Sequence, residues 1–454
     1  MGNEYKVFVL MLVILLTVLF VSSKITSGTP SKIIVVPDNY STVAAAVGNA
    51  SSGDTILIRS GIYLESSLTI NKTLSLIGEN AQNTIIKDND QPTMFMGSPL
   101  FAGPNTITIK ADNVVIQSLT IITTRGDIPG YDIEGGGKGI QIINCILPEG
   151  ISLSTGSYQL INHNNIGKIV TNDAALTTKT PYTYITNNTV IGTVQISPSN
   201  NIVYQNTITA TNDNLTWHAW GIDVGGTQNL IAKNTIDNSR AGIVSDQSDH
   251  NTIVGNTINN GYIGLASVKG GGSNQFYANN ITGNSYAVVA SGYKDTYYDN
   301  NFVNNEHQIG SPDYLIGPNP NPLTYWNNGT QGNYWSTYIG SDKDGDGIGD
   351  TPYVIDANNS DSYPLMKPFS VTTFTLPDWV NDISPATSNS NFPSPPPQTP
   401  SATPTPPSPS TTTPSPTPTP TVPELPWLAI VPLLLSVFSV AVIHRHRKTV
   451  SLSE

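Results

Sequence analysis

From residue 33 to residue 310 the chain consists of short apolar runs, three to five residues long, separated by asparagine and glycine. Apolar and polar residues alternate within a run, as in residues 251–258 (NTIVGNTI), which is the period of a β-strand. β-branched residues dominate the runs, as they do in strands, and no ten-residue stretch shows a helical period. Asparagine and glycine enter the left-handed backbone region readily, so the pattern predicts many short strands joined by tight turns.

Two sequence phrases recur in step with each other. The first, asparagine followed two residues later by a β-branched or apolar residue, recurs between residues 164 and 302 at nearly equal intervals. The second begins at Gly221, Gly242 and Gly264, and each of these glycines stands at a nearly constant distance ahead of the next asparagine of the first phrase. Two phrases in phase, with a repeat of about 22 residues, predict a parallel β-helix, in which each coil stacks on the next. The repeated asparagines then fall in register, where their side chains form hydrogen-bonded ladders.

The open ends of such a solenoid expose its core and need caps. At the amino-terminal end, residues 41–47 (STVAAAV) are the one helix-like piece, and Ser41 is a suitable N-cap. At the other end, the aromatic-rich residues 326–363 supply Trp335, Tyr338 and Tyr353. We expect the helix to cover the first coil and these aromatic side chains to cover the last.

Both ends of the chain carry apolar segments. Residues 1–23 have the pattern of a secretory signal peptide, with an uncleaved N-terminal anchor as the alternative. Residues 425–443 contain no charge and reach roughly 28 Å as a helix, which predicts a transmembrane span. Basic residues follow directly and stay on the cytoplasmic side of a membrane. Residues 444–454 are therefore the predicted cytoplasmic tail, and the body is extracellular at the cell membrane.

A proline-rich segment separates the body from this span. Residues 367–423 form a linker and stalk, in which 14 of the 31 residues from 393 to 423 are proline and most others are serine or threonine. Such a segment buries too little apolar surface to fold and adopts extended polyproline II. The predicted order is therefore signal segment, body, stalk and membrane anchor.

Composition excludes several classes of protein. Only 11% of residues are charged, and a net charge of -12 leaves no basic surface for nucleic acid. The single cysteine, Cys145, excludes a disulfide framework and a cysteine-built metal site. In an exported chain, Asn-x-Ser/Thr sequons are candidate glycosylation sites, and eight occur: Asn39, Asn49, Asn71, Asn187, Asn214, Asn280, Asn328 and Asn358.

Two segments resemble a known family. Residues 41–88 are similar to the opening of right-handed β-helix proteins of the NosD type, and residues 332–353 (with GNYWS, DKDGDGIGD and TPY) resemble that family's closing segment. The resemblance covers residues 33–366. It implies an all-β, right-handed parallel β-helix solenoid with about 22 residues per coil. NosD is an accessory protein for copper insertion into nitrous oxide reductase, and the same broad class includes carbohydrate-binding proteins and sugar hydrolases. With the signal segment, stalk and anchor, it implies an archaeal surface protein.

The closing segment contains the pattern of a calcium loop. Asp342, Asp344 and Asp346 alternate, a glycine follows, and Asp350 stands at the ninth position. Oxygen ligands at this spacing wrap one cation, but Tyr353 stands at the twelfth position, where an EF-hand has a bidentate glutamate. We therefore expect a weak structural calcium site, with a solvated acidic turn as the alternative.

Aromatic residues on three neighbouring coils predict a carbohydrate-binding surface. Alignment of the coils on the Gly-Ile phrase places Arg240 and Tyr262 in one column, with Trp220 one residue away and Trp217 close to it. Aromatic faces flanked by polar groups suit sugar rings, which stack their C–H faces on such side chains. The alternative is that the tryptophans pack under a loop at residues 209–215.

Catalysis has weaker support from the sequence. Asp246 and Asp249 form the densest acidic cluster and Asp223 lies one coil earlier, but the alignment does not place Asp223 and Asp246 in one column. Arg240 is the only arginine near them, whereas a uronate lyase needs basic residues beside its carboxylates. A copper site is not expected, because the histidines lie on different coils and the chain supplies only one isolated pair of methionines.

Three functions remain open. The first is a membrane-anchored extracellular β-helix that binds polysaccharide or a surface-layer polymer. The second is a polysaccharide lyase, hydrolase or epimerase that uses Asp223, Asp246 or Asp249. The third, implied by the resemblance alone, is an accessory factor in metal-enzyme maturation.

Overall fold

The computed structural model describes residues 31–89, 93–95, 98–100, 105–123, 130–167, 174–210, 219–268, 270–310 and 323–370. The predicted signal segment, the stalk beyond residue 370, the transmembrane span, the cytoplasmic tail and the sequon at Asn214 lie outside these residues. A search of the described part of the chain finds no helix long and apolar enough to cross a membrane. The described residues all belong to one compact unit.

Three long parallel sheets make up the body, and each coil contributes one strand to sheet A, then one to sheet B, then one to sheet C. Sheet A contains Ile33–Val36, Thr55–Ile58, Ser75–Gly78, Val115–Gln117, Gln141–Ile143, Gln159–Asn162, Thr183–Thr186, Ile202–Tyr204, Leu230–Ala232, Thr252–Val254, Gln275–Tyr277 and Thr296–Tyr298. Sheet B contains Gly61–Glu65, Thr84–Asp88, Thr120–Ile122, Ile146–Leu147, Asn165–Gly167, Thr189–Ile191, Thr207–Thr209, Thr235–Asp237, Thr257–Asn259, Asn280–Thr282, Asn301–Val303 and Tyr334–Trp335. Sheet C contains Leu68–Ile70, Ile107–Ile109, Ile133–Lys138, Ile151–Ser157, Leu176–Thr178, Val194–Ile196, Trp220–Val224, Ala241–Asp246, Ile263–Val268, Tyr286–Ala290 and His307–Ile309. The predicted right-handed parallel β-helix is thus confirmed.

Two antiparallel hairpins and one helix complete the described elements. Thr93–Phe95 pairs with Ser98–Leu100, and Tyr353–Val354 pairs with Ser360–Asp361. The helix is Val43–Asn49. The coils themselves repeat at the predicted period, as the sheet A partners Ile231, Ile253, Phe276 and Tyr297 show. These inward-pointing residues stack into one continuous core.

The repeated asparagines form buried ladders, as predicted. Asn234 donates its backbone N–H and its amide N–H to Oδ1 of Asn256, both at 2.9 Å, and Asn256 does the same to Asn279. The ladder asparagines are not the residues in the left-handed region, contrary to our expectation. That conformation belongs to the residue before each of them, at His163, Asn187, Gln205, Lys233, Gly255, Ala278 and Asp299. The turn therefore tolerates many residue types, whereas the position inside the coil requires an amide.

The amino-terminal helix covers the first coil with Val43, Ala46 and Val47. Its N-cap is Thr42, whose Oγ1 accepts the N–H of Ala45 at 3.1 Å, so the prediction of Ser41 was wrong by one residue. The reason lies outside the local sequence. The buried carboxylate of Glu65 accepts the N–H groups of Val43 and Ala44, which fixes where the helix begins.

Aromatic side chains close the other end, as predicted. Trp335 stacks on Phe302 of the last coil at 4.4 Å between ring centroids, and Tyr353 stacks on Trp335 at 4.7 Å. Tyr338 meets Tyr353 edge to face, and Trp326 stacks on the core residue Tyr297. Trp326 and Trp335 are buried, so the cap seals the core from solvent.

Candidate functional site

An aromatic row crosses the outer face of sheet C. Trp220 pairs with Ala241 on the next strand, and the same column continues through Ile263, Tyr286 and His307. We use the name aromatic row for Trp220, Tyr286 and His307 of this column together with Arg240 and Tyr262, which stand one residue before Ala241 and Ile263. Neighbouring strands lie about 4.8 Å apart, so the row presents side chains at regular, closely spaced steps.

Contacts between the rings hold the row together. Tyr262 meets Tyr286 edge to face at 5.5 Å, and Tyr286 stacks on His307 at 4.8 Å. His307 is exposed, and the other members of the row are partly buried. Trp220, Tyr262 and Tyr286 rest on an apolar floor of outward-facing side chains, namely Ala241, Val244, Ile263, Ala266, Val268 and Val289.

The recurring glycine explains why Trp220 and Ala241 face outward. A Cβ on Gly242 would lie 2.4 Å from Cγ2 of Ile258 and 2.6 Å from the carbonyl oxygen of Gly264. Only glycine fits there, so the chain bends inward at Gly242 and leaves the preceding residue, Ala241, on the outer face. Gly221 places Trp220 in the same way, because its Cβ would meet Ile236. The glycine of the Gly-Ile phrase is thus the local cause of the outward direction at Trp220 and Ala241.

The structure brings three of the four predicted carbohydrate-binding residues together. Trp220 and Tyr262 pack on the same outer cluster, and the pairing of Ala241 with Ile263 puts Arg240 beside Tyr262, as the alignment predicted. Trp217 lies outside the described residues. Sequence reasoning missed Tyr286, although the Ala-Val pair that follows it aligns with the Gly-Ile phrase. It also missed His307, whose coil has no glycine to mark the position.

The predicted catalytic aspartates divide between two places. Asp223 pairs with Val244 and faces outward, and Asp246 lies on the same face one strand and two residues away, roughly 8 Å from it by strand spacing and rise. Asp223 accepts the amide N–H of Gln195 at 2.9 Å. Asp249 lies beyond the strand, in the turn toward sheet A, where its Oδ1 accepts the N–H of Gly272 at 2.8 Å.

The predicted calcium loop is folded as a compact acidic turn. Carboxylate oxygens of Asp342, Asp344 and Asp346 lie within 4.8 Å of one another. Asp342 accepts the N–H groups of two loop glycines, at 2.7 and 3.0 Å. Asp350 lies outside this cluster and instead accepts the N–H of Lys343 and the hydroxyl of Ser341. Three carboxylates therefore converge, and the fourth braces the loop.

Several buried acids were not predicted. Burial raises the pKa of Asp132 to about 7, although the carboxylate accepts the N–H groups of Glu149 and Thr123. Burial also raises the pKa of Asp295 to about 6, and Asp295 ends one asparagine ladder by accepting the N–H groups of Asn274. The pattern that could have revealed Asp295 is its place in the series of ladder positions, where aspartate replaces asparagine.

Comparisons with known proteins agree with the resemblance seen in the sequence. Residues 197–340 match the family model NosD, described as periplasmic copper-binding protein, and this segment includes the whole aromatic row. A protein of Pseudomonas aeruginosa, described as a probable ABC transporter binding protein NosD, is 29% identical over 139 residues. That match covers 27% of this chain and 31% of the relative, so the chain spans about a third of the length of the curated relative it matches. The predicted NosD resemblance is confirmed.

Solved structures are also similar to this chain, at lower sequence identity. The catalytic domain of a GH87 alpha-1,3-glucanase, in complex with tetrasaccharides, has 16% sequence identity and a TM-score of 0.45, with 66% of this chain and 69% of that chain covered. Pectin methylesterase from Erwinia chrysanthemi has 17% identity and a TM-score of 0.36, with 46% of this chain and 79% of that chain covered.

Proposed function

We propose that the protein is an extracellular, membrane-anchored β-helix that binds a polysaccharide of the cell surface along the outer face of sheet C. The observation that carries the proposal is the aromatic row, a series of rings on successive strands with Arg240 among them. Strands of a packed solenoid hold side chains rigidly, which suits an extended ligand with repeating units. Aromatic rings supply apolar faces for sugar C–H groups, and Arg240 supplies N–H donors for hydroxyl or carboxylate oxygens.

The anchoring rests on the sequence. The uncharged residues 425–443 and the basic residues that follow them support a membrane span with the body outside. The proline-rich stalk then carries the body away from the membrane. A polymer of the surface layer is the partner within reach of such a body.

A glycan-binding comparison tests the proposal. The body, residues 24–392, is applied to a polysaccharide panel as the parent and as the double variant Trp220→Ala/Tyr262→Ala. The matched control is Tyr293→Ala/Tyr325→Ala, which removes two tyrosine rings that are 48% and 47% exposed and lie off the row. We expect the first variant to lose binding at least tenfold and the control to bind like the parent. Equal binding by all three proteins would refute the proposal.

Catalysis is the second candidate, because Asp223 and Asp246 share the outer face with the row. Their backbones lie roughly 8 Å apart, on one face of two neighbouring strands. If the protein cleaves its ligand, uronate and neutral glycans incubated with the body release unsaturated or reducing-end products. Asp246→Asn would then abolish release while binding to the row persists.

We also propose that the acidic loop holds a structural calcium ion. Asp342, Asp344 and Asp346 supply converging oxygens, which hard divalent cations prefer. The loop lies in the cap that seals the last coil, so a bound ion would stabilise that end of the solenoid.

A further inference from the structure

Part of the outer face of sheet A is apolar and buried, which is unusual for the outside of a solenoid. Leu160, Tyr184 and Ile202 form one cluster there, with 1%, 7% and 1% of their surfaces exposed. Their neighbours along the strands, such as Ile161 and Val203, belong to the core. Because side chains alternate along a strand, Leu160 and Ile202 point outward and yet are shielded from water.

The apolar surface continues along sheet A toward the carboxyl-terminal coils. A second cluster contains Ala232 and Val254, which are also on the outer face and buried, with Tyr204 and Leu230 shared between the two clusters. We call this whole surface, from Leu160 to Val254, the outer strip. A strip of this length on the outside of a sheet requires a cover.

The chain returns to this strip after the cap. Phe369 packs on the second cluster of the outer strip. Asn301 fixes its backbone on both sides, since the Asn301 amide donates to the Phe369 carbonyl at 2.8 Å and the Phe369 N–H donates to Oδ1 of Asn301 at 2.7 Å. Leu365, four residues earlier, still pairs with Tyr334 at the last coil. The chain therefore turns back along the stack, toward the amino-terminal end.

The next residues have the length and the pattern of a cover. Residues 371–380 (VTTFTLPDWV) contain Val371, Phe374, Leu376, Trp379 and Val380, and the proline-rich stretch begins only at residue 393. Four strand steps separate the strand Thr252–Val254 from Gln159–Asn162. At ~4.8 Å per step this is ~19 Å, and ten extended residues reach ~33 Å. The segment is long enough to cover the strip.

Three internal segments outside the described residues begin elsewhere. Residues 124–129, 168–173 and 211–218 each join a strand of sheet B to a strand of sheet C. They therefore leave and re-enter the solenoid at a different corner from sheet A. Residues 371–380 alone follow directly from a residue, Phe369, that already lies on the strip.

We propose that residues 371–380 dock along the outer strip as an extended strap. The strap then lies on sheet A, whereas the aromatic row lies on sheet C. The strap would exist whether or not the row binds carbohydrate.

Cysteine labelling of the full-length chain in detergent tests the strap. Ile202→Cys reports on the strip, and Thr207→Cys is the matched control, because Thr207 is exposed on sheet B of the same coil. The native Cys145 does not interfere, since it is buried and burial raises the pKa of its thiol to about 12. Each reporter is labelled with a maleimide at pH 7, with and without the double substitution Phe374→Asp/Trp379→Asp.

We expect Ile202→Cys to react at least tenfold more slowly than Thr207→Cys in the otherwise unchanged chain. With Phe374→Asp/Trp379→Asp, its rate should rise to within about threefold of the control, while the Thr207→Cys rate stays constant. Cys145 should stay unlabelled throughout, which shows that the solenoid is folded. Fast labelling of Ile202→Cys in the unchanged chain would overturn the proposal. Protection that survives the double substitution would overturn it too, and loss of that protection on dilution would identify a second copy of the chain as the cover.

Discussion

The asparagine ladder makes a quantitative prediction at Asn164. Its Oδ1 accepts the backbone N–H of Cys145 at 2.8 Å, and its amide donates to the carbonyl of Ile142 at 2.9 Å. Asn164→Ala removes both bonds, and also the donation from the Asn164 amide to Oδ1 of Asn188, and it leaves the N–H of Cys145 unpaired inside the coil. A buried group left without a partner costs about 1–3 kcal/mol, so we expect the free energy of unfolding to fall by about that amount.

The next residue provides the control. Asn165 is exposed, and the equivalent residues on the next two strands are Thr189 and Thr207. Asn165→Thr should therefore change stability by less than about 0.5 kcal/mol. Urea unfolding followed by circular dichroism measures both variants against the parent. If Asn164→Ala is as stable as Asn165→Thr, the ladder contributes nothing beyond the backbone hydrogen bonds and the reasoning is wrong.

Three further predictions concern the core, the buried acids and the loop. Gly242→Ala forces a methyl group against Ile258 and should cost about 1–3 kcal/mol in urea unfolding; an unchanged midpoint would mean that the coil relaxes freely. Because burial raises the pKa of Asp295 to about 6, its contribution to stability is full below about pH 4 and is lost as the pH rises through 6. Asp295→Asn should therefore be more stable than the parent at pH 8 by about 3 kcal/mol and lose that advantage below pH 4, and parallel unfolding curves would contradict this. Calcium should raise the melting temperature of the parent and not that of Asp344→Asn, as differential scanning calorimetry would show; equal shifts would place the ion elsewhere.

The coil architecture could be predicted because it repeats. Neighbouring coils need the same residue types at the same places: an amide at the ladder position and, at Gly221, Gly242 and Gly264, a residue without a Cβ. These demands come from the stacking of one coil on the next, so they recur at the coil period and are visible in one sequence. The column of Arg240 and Tyr262 followed from the same alignment. Residues whose role depends on the repeat are the ones that a sequence reveals.

Residues at the ends and corners follow no such repeat. The helix begins after Thr42 because Glu65, from the first coil, accepts the N–H of Val43. Nothing in the local sequence distinguishes Thr42 from Ser41 as an N-cap. The role of Asp350 was likewise hidden, since the spacing of a calcium loop does not show that this carboxylate turns back toward Lys343. Both outcomes depend on contacts between segments that the spacing leaves open.

Asp361 ends the asparagine ladder by accepting its last hydrogen bonds. A ladder asparagine donates its N–H groups to the next coil and therefore needs an acceptor on that coil. At the last coil Asn333 finds that acceptor in Oδ2 of Asp361, which also takes the indole N–H of Trp335 at 2.9 Å, while Oδ1 takes the N–H of Tyr363. A carboxylate offers acceptors only, so one side chain satisfies four donors: the backbone and amide N–H of Asn333, the indole N–H of Trp335 and the N–H of Tyr363. Its burial raises the pKa of Asp361, which is the energetic cost of closing the stack there. Replacing this acceptor by asparagine would turn a terminus into one more step of the ladder and bring an N–H donor that the cap does not need.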